Sequence, residues 1–240
     1  MKILSDLLCS LKTDALVREA GISKRWSYLL SKKLGIALNF RGVYPNKKFN
    51  QIVLEEKSAR GVAKYALSHN LIEASLGLAA ISSLVDVRQK FISTKGEEII
   101  YKMAEGKNVV MVGHFGFSKR LKKIASHLNI LELRPQEGDL PSNQAGRVIP
   151  TANILIITSS TLVNHTLEGL LKYRSKKTFT MLLGPSAPPA TLFFDYGIDA
   201  VCTSLFNQPF KMIRHLKRGG HFYNGAGVKF IALVKDSKIM

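Results

Sequence analysis

The first hundred residues show the pattern of a small domain of helices and short strands. An amphipathic helix is predicted over residues 1–12, and three strand-like apolar runs follow it at 15–17, 26–30 and 35–40. Short apolar runs separated by glycine and polar turns are typical of an antiparallel meander. The polar residues 41–57 predict a loop after the third strand.

Two helices are predicted after this loop. Ser58 can cap a helix that runs to about Ser68, and Asn70 can cap the next one. This second helix is apolar on nearly all sides, which predicts that it is buried. Glu73 lies within it, and a buried carboxylate is rare unless it is paired or functional.

Strands and helices alternate from residue 108 onward. Strands are predicted at 108–112, 129–133, 153–158, 178–183 and 199–203, an edge strand at 228–234, and helices at 117–127, 164–173, 189–195 and 209–218. Such alternation is typical of an α/β domain with a mostly parallel sheet, right-handed crossovers and helices on both faces. We therefore predict a smaller α+β domain over 1–90, a linker region over 91–107 and an α/β domain over 108–240.

The loops at the carboxyl ends of the strands form the candidate site, because ligands of open α/β sheets bind there. They contain the candidate ligand-binding residues Gly113, His114, Phe115, Thr158, Thr161, Gly184, Pro185 and Ser186, together with Asn164 and His165. The glycine turn at Gly113 allows backbone N–H groups to approach an anion at a helix N-terminus. It lacks the full dinucleotide fingerprint and the residues of a phosphate-binding Walker loop.

Three acids near the second strand are further candidates. Glu132 lies about 20 residues beyond the glycine turn, where a ribose-binding acid is expected, or it is a strand residue that faces solvent. Glu137 and Asp139 flank Gly138 and could bind a metal, act as acid and base or hold an amine. The alternative for this pair is a polar turn. His114 could be a metal ligand or a proton carrier, and we favour a role as polar lining.

Composition narrows the class of protein. The 240 residues are 46% hydrophobic and 22% charged, as in ordinary globular proteins, and the longest apolar stretches are too short for a membrane span. Cys9 and Cys202 are far apart, which argues against a disulfide framework and favours the cytoplasm. The formal charge of +18 is interpreted as solubilising surface charge, with an anionic ligand or nucleic acid as alternatives.

Five segments in combination resemble a known family. They are Glu73–Ile81, Val112–Phe115, Glu132–Pro141, Thr161–Leu167 and Leu183–Pro188, and the family is the one called "putative heavy-metal chelation". The resemblance covers nearly the whole chain. It implies an enolase N-terminal-like domain followed by a Rossmann-like domain, with a site between them. The chain departs from the pattern at Cys202-Thr203-Ser204, where a glycine is expected.

The resemblance also implies roles for particular residues. Glu73, Glu137, Asp139 and Asn164 become the candidate catalytic residues of an interdomain cleft, with Thr161 beside them. The family's suggested chemistry is condensation or hydrolysis in pterin, flavin or siderophore-like metabolism, with heavy-metal chelation as its label. The resemblance names no particular cofactor.

Three classes of function follow. The first is a small-molecule enzyme or binder whose ligand is anionic or nucleotide-like, and the second is a metal-chelating or metal-delivery protein that uses Glu73, Glu137, Asp139 and the histidines. The third, supported only by charge, is a nucleic-acid-binding protein. We expect no tightly bound structural metal, because both cysteines lie outside the four loops and soft metals prefer thiolates. Self-association as a homodimer stays open.

Overall fold

The computed structural model describes residues 1–40, 57–87 and 90–235, and it has two packed units. The first unit contains helix α1 (Lys2–Ser10), strands β1 (Glu19–Ile22), β2 (Trp26–Leu30) and β3 (Leu34–Leu38), helix α2 (Ala59–Ala63) and helix α3 (Leu71–Leu84). The strands form an antiparallel sheet in the order β1-β2-β3, which confirms the predicted meander. Most of the predicted 41–57 loop lies outside the described residues.

The first strand is displaced from its predicted position. Residues 15–17 pair with the segment before α2 instead of with β2, since the Val17 N–H donates to the Lys57 carbonyl at 2.9 Å and Leu16 bridges to Ser58. Strand β1 therefore begins only at Glu19. The pattern of apolar residues cannot distinguish these two partners.

Both predicted caps are confirmed. The Ser58 hydroxyl accepts the Gly61 N–H at 3.0 Å, and the Asn70 side chain accepts the Ile72 N–H at 3.0 Å. Helix α3 is buried from Ala74 to Leu84, as its apolar sequence predicted. It packs closely on β3 and on the 3₁₀ turn at Lys64–Leu67.

The second unit is a seven-stranded, mostly parallel sheet. Its helices are α4 (Gly96–Met103), α5 (Ser118–Leu121), α6 (Ala145–Val148), α7 (Leu167–Leu171) and α8 (Pro209–Lys217), and its strands are β4 (Asn108–Val112), β5 (His127–Glu132), β6 (Leu140–Pro141), β7 (Ile154–Thr158), β8 (Phe179–Leu183), β9 (Ala200–Phe206) and β10 (Val228–Val234). The strand order is β10-β9-β8-β7-β4-β5-β6, and β10 is an antiparallel edge strand. The predicted α/β class is confirmed.

Several predicted helices are shorter than the pattern suggested. Within the helix predicted at 117–127, only Ser118–Leu121 are helical and form α5. The segment predicted at 189–195 is a 3₁₀ helix, Thr191–Tyr196. Helix α4 lies in the predicted linker over 91–107, and its Ile99 and Ile100 pack beneath the large sheet. Secondary structure in that segment was not predicted, and the domain boundaries themselves stay a prediction.

The two units share one hydrophobic core. A single cluster joins Leu7 of α1 and Ile81 of α3 with Leu155 of the large sheet. Polar contacts also join the units, because the Ile3 N–H donates to the Glu168 carboxylate at 2.9 Å and the Tyr196 hydroxyl donates to Asp6. A further apolar cluster packs β2 and β3 against α8.

A membrane-spanning helix needs about 20 mostly apolar residues in succession. Among the helices of the described ranges, none is both long and apolar enough to meet this requirement.

Candidate functional site

A cleft opens at the carboxyl edge of the large sheet, where the strand order reverses. Strand β4 lies between β5 and β7. After β4 the chain builds β5 and β6 on one side of it, and it then crosses over to build β7, β8 and β9 on the other side. Two cavities lie at this switch point, of about 770 Å³ and 510 Å³, and we call them the first and second chambers. They meet at Leu38, His114, Thr158 and Ser160, which line both. Their position is the one that the fold class predicts for a ligand.

The first chamber combines aromatic walls, two arginines and a floor of hydroxyl groups. The rings are Trp26, Tyr101, Phe115, Phe117, His221, Phe222, Tyr223 and Phe230, and the hydroxyls are Thr158, Ser159, Ser160, Ser186, Thr203 and Ser204. Arg25 and Arg120 are its basic residues. The Arg120 guanidinium lies over the Tyr101 ring, 4.2 Å from its centroid, and this cation–π contact holds the guanidinium in the chamber wall.

Burial sets the charges of this chamber. The Tyr223 hydroxyl donates to Glu97 at 2.9 Å, and burial together with this bond raises the pKa of Tyr223. Burial lowers the pKa of His221, and the nearby Arg25 lowers it further, which favours the neutral imidazole. Among the described residues, the charged groups of the chamber wall are then the two arginines and Glu97, which gives it a net positive charge.

Several predicted ligand-binding residues line this chamber. Phe115 stacks on Phe117 with their ring centroids 5.4 Å apart, and Gly184 and Pro185 form part of the floor. Ser186 also lines it, but the Ser186 hydroxyl accepts the Leu38 N–H at 2.9 Å and is buried. This bond ties β3 to the loop after β8, so Ser186 joins the two units.

Part of the predicted anion cradle at Gly113 is already used within the protein. The Gly113 N–H donates to the Leu131 carbonyl, and the His114 N–H donates to the Glu132 carboxylate, both at 2.9 Å. Two N–H groups of the turn are therefore already bonded, and α5 is only four residues long. Glycine is needed at 113 for another reason: its φ is +93°, and a Cβ there would lie 2.8 Å from Thr158 Cγ2.

The second chamber holds Glu132, Thr161 and Asn164 of the predicted set. The two oxygens of Glu132 accept the N–H groups of His114 and Leu133, both at 2.9 Å. Glu132 thus lies apart from the aromatic first chamber, which does not fit the predicted ribose-binding role. Asn164 Oδ1 accepts the N–H and the hydroxyl of Thr166, at 3.3 and 2.7 Å, and shapes the loop after β7.

Two predicted catalytic acids do not reach the cleft. Glu73 is half-buried and accepts a hydrogen bond from the Ser68 hydroxyl, which also accepts the Asn70 N–H at 3.1 Å. The Glu73 carboxylate is thus bonded at the start of α3 and lines neither chamber. The sequence had led us to expect that it faces the 137–139 loop or Asn164. Glu137 is exposed on its turn and lines neither chamber.

Asp139 acts on the cleft through His114. Its carboxylate is 3% exposed, and one oxygen accepts from His114 Nε2 at 2.7 Å and from the Gln136 N–H at 2.8 Å. A carboxylate only accepts hydrogen bonds, so Nε2 of the neutral ring carries the proton and Nδ1 is left as an acceptor or base. His114 is thereby held in one tautomer where the two chambers meet.

This geometry predicts the tautomer of His114. In ¹H–¹⁵N long-range spectra of the imidazoles, we expect His114 to be the Nε2–H form, because Asp139 accepts that proton. Asp139→Asn should increase the fraction of the Nδ1–H form, since an amide can donate to Nε2 as well as accept from it. Glu137→Gln is the matched control and should leave the spectrum unchanged. A wild-type Nδ1–H tautomer would contradict this assignment.

Much of the first chamber comes from residues that sequence reasoning missed. They are Arg25, Trp26, Glu97, Tyr101, Arg120, His221, Phe222 and Tyr223, and most of them lie outside the loops that follow parallel strands. Trp26 is the single tryptophan of the chain, which was the one compositional signal that could have pointed to it. Cys202, Thr203 and Ser204 of β9 also line the chamber where the family pattern led us to expect a glycine.

The donor groups do not fit a soft heavy metal. Within residues 1–40, 57–87 and 90–235, His, Cys, Asp and Glu form no cluster of three that could hold an ion. Cys9 is exposed on α1, and burial raises the pKa of Cys202 to about 12. A thiol that keeps its proton is a poor ligand for such metals.

A small antiparallel unit packed on a mostly parallel sheet, with a cleft at the switch point, defines a two-unit α/β protein with a small-molecule-sized site. Family models match residues 5–85 (DUF4213) and 98–234 (DUF364), both described as "putative heavy-metal chelation". The chain belongs to the DUF364 family.

One related sequence and two related crystal structures match this chain along most of their length. The chain is 23% identical over 240 residues to an uncharacterized protein of Methanocaldococcus jannaschii, covering 94% of this chain and 93% of that one. A crystal structure of a DUF364 protein of unknown function from Desulfitobacterium hafniense matches with a TM-score of 0.89 and 24% identity over 98% of each chain. A second crystal structure of a DUF364 protein of unknown function, from Pyrococcus horikoshii, matches with a TM-score of 0.82 and 20% identity over 97% of this chain and 98% of that chain. These likenesses establish the fold.

Proposed function

We propose that the first chamber binds a small anionic molecule with an aromatic ring system, of the nucleotide type. The observation that carries the proposal is the presence of Arg25 and Arg120 in one cavity with stacked rings and a hydroxyl floor. Aromatic faces bind a planar ring, while guanidinium groups bind phosphate or carboxylate oxygens. A cavity of about 770 Å³ lies within the range of small-molecule sites.

An unpaired donor supports the same proposal. Trp26 is 4% exposed, lines the chamber, and its indole N–H is buried without a hydrogen-bond acceptor among the described residues. An unsatisfied buried donor costs free energy, and a ring nitrogen or carbonyl of a ligand would remove that cost. The Trp26 ring is fixed by an edge contact with Phe222, with centroids 5.1 Å apart.

Metal chelation is the second candidate function, and it rests on the family description alone. The described His, Cys, Asp and Glu residues supply no matching donor cluster. An anionic ligand therefore fits the cleft better than a metal ion does. Condensation and hydrolysis, implied by the resemblance, stay a prediction about what happens to that ligand.

The test uses the fluorescence of Trp26. Titration with ADP should change the emission, because the chain's only tryptophan lies in the chamber wall. Adenosine lacks the charge and inorganic pyrophosphate lacks the ring, so each should bind more weakly than ADP. Arg120→Gln should raise the Kd for ADP about tenfold, since it removes a charge-assisted contact.

The matched control removes a positive charge elsewhere. Lys176 is exposed and lines neither chamber, so Lys176→Gln should leave the Kd for ADP within about twofold. Equal loss of affinity in both variants would mean that only the overall charge of +18 attracts ADP. An unchanged Kd in Arg120→Gln would contradict the proposed site.

A further inference from the structure

The second chamber differs from the first in its charges. Among the described residues, its wall contains Glu132 and neither lysine nor arginine, although 35 of the 240 residues are Lys or Arg. The first chamber, which opens beside it, contains two arginines. Within the part of the chain that the structure describes, one cleft therefore has a half with two arginines and a half whose fixed charge is a carboxylate.

We infer that the second chamber is a binding site for a small organic cation, a molecule that carries an ammonium group on an apolar body. This inference goes beyond the proposed function, because it concerns a separate cavity and a ligand of opposite charge. The volume of about 510 Å³ and the apolar wall at Leu38, Leu133 and Leu170 suit a compact hydrocarbon body.

The Glu132 carboxylate is the fixed anion of this chamber. It is half-buried and held in place by the N–H groups of His114 and Leu133, one on each oxygen. Each carboxylate oxygen has a further lone pair, so both remain able to accept from an ammonium group. The two backbone bonds fix the position of the charge before a ligand arrives.

Tyr173 supplies an aromatic face to the same chamber. It is 47% exposed although it lines a cavity, and it packs against Gly146, where a Cβ would lie 3.2 Å from the ring. A cavity lined by both an exposed ring and a carboxylate offers cation–π attraction and an opposite charge to an organic cation.

The backbone of the chamber wall is strained at His165. This residue has a φ of +60°, the only positive value at a described residue other than glycine. Its Nε2 donates to the Ala66 carbonyl at 2.9 Å, which anchors the loop after β7 to the first unit. Residues held in strained conformations cluster at binding sites, where surrounding contacts fix them.

The test compares three probes of one shape. Cyclohexylamine, cyclohexanol and cyclohexanecarboxylate share a ring and differ in charge, and binding is followed by ¹H–¹⁵N amide shifts. Gly146 and Gly169 line only the second chamber, while Gly96 and Gly184 line only the first. We expect cyclohexylamine to bind about tenfold more tightly than cyclohexanol and to shift the amides of Gly146 and Gly169. Equal binding of the three probes, or preference for the carboxylate, would overturn the inference.

Variants then assign the selectivity to residues. Glu132→Gln should abolish the preference for cyclohexylamine over cyclohexanol, whereas Glu137→Gln, an exposed acid near the same loop, should preserve it. Tyr173→Leu should reduce the preference, and it provides the test if Glu132→Gln does not fold. Retention of full selectivity in a folded Glu132→Gln or in Tyr173→Leu would refute the assignment. ADP titration of the same samples reports on the first chamber, so failure of one proposal is distinguishable from failure of the other.

Discussion

Gly77→Ala is expected to destabilise the protein by about 3 kcal/mol and to lower its Tm by about 10 °C. Gly77 lies in the middle of α3, and a Cβ there would lie 2.0 Å from Ala66 N and 2.5 Å from the Tyr65 carbonyl carbon. Both atoms belong to the backbone of the 3₁₀ turn at Lys64–Leu67, which cannot rotate away as a side chain can. The opposite side of α3 is equally close to β3, since a Cβ at Gly35 would lie 2.0 Å from the Ala79 carbonyl oxygen. The helix therefore has no free direction in which to move.

Gly61→Ala is the matched control for this prediction. Gly61 is also helical, but a Cβ there meets only Ser58 side-chain atoms at 3.5 and 3.6 Å, an ordinary contact distance. We expect it to be neutral or to stabilise by about 0.5 kcal/mol, because alanine favours the helix over glycine. Urea unfolding of both variants measures the difference. A Gly77→Ala protein as stable as Gly61→Ala would show that α3 can shift within the core.

Gly113→Ala is expected to cost about 2 kcal/mol of stability and to weaken ADP binding. The φ of +93° is unfavourable for any residue with a Cβ, and the new atom would press on Thr158. Thr158 lines both chambers, and its hydroxyl bonds that of Ser160 at 3.0 Å, so its displacement alters the floor of the cleft.

Gly116→Ala is the control in the same turn, because Gly116 has neither the positive φ of Gly113 nor its close approach to Thr158. Among the described residues, a Cβ at Gly116 would meet no atom beyond its chain neighbours within 4 Å, and its φ is not positive. Alanine there should change stability by less than about 0.5 kcal/mol. Thermal unfolding and the Trp26 titration are run on both variants. If Gly113→Ala behaves like Gly116→Ala, the approach of the turn to Thr158 has no part in forming the cleft.

The fold was predictable where hydrophobic periodicity is strong. The long apolar run of α3, the second and third strands of the meander and the parallel strands are set by local patterns, and the structure confirms them. Helix α4 was missed because Gly96 and its charged neighbours gave the pattern of a linker, although its Ile99 and Ile100 are buried. Strand β6 is two residues long, too short for any periodicity.

The site was predictable only in its floor. Loops that follow parallel strands converge by topology, which is why Thr158, Gly184 and Ser186 all line the cleft. Arg25 and Trp26 come from the small sheet, and their position depends on how the two units pack. The hydrogen bond from the His114 N–H to Glu132 could not be predicted for a similar reason, because it exists only once β4 and β5 have paired.

The contacts of α1 have a consequence for folding during synthesis. The Ile3 N–H binds Glu168, 165 residues later in the chain, and Asp6 accepts from Tyr196, 190 residues later. Helix α1 is therefore synthesised long before the residues that hold it in place. Until then the apolar side chains of Ile3, Leu4 and Leu7 lack part of the apolar surface that buries them in the folded protein, so the nascent first unit is the part of the chain most exposed to aggregation.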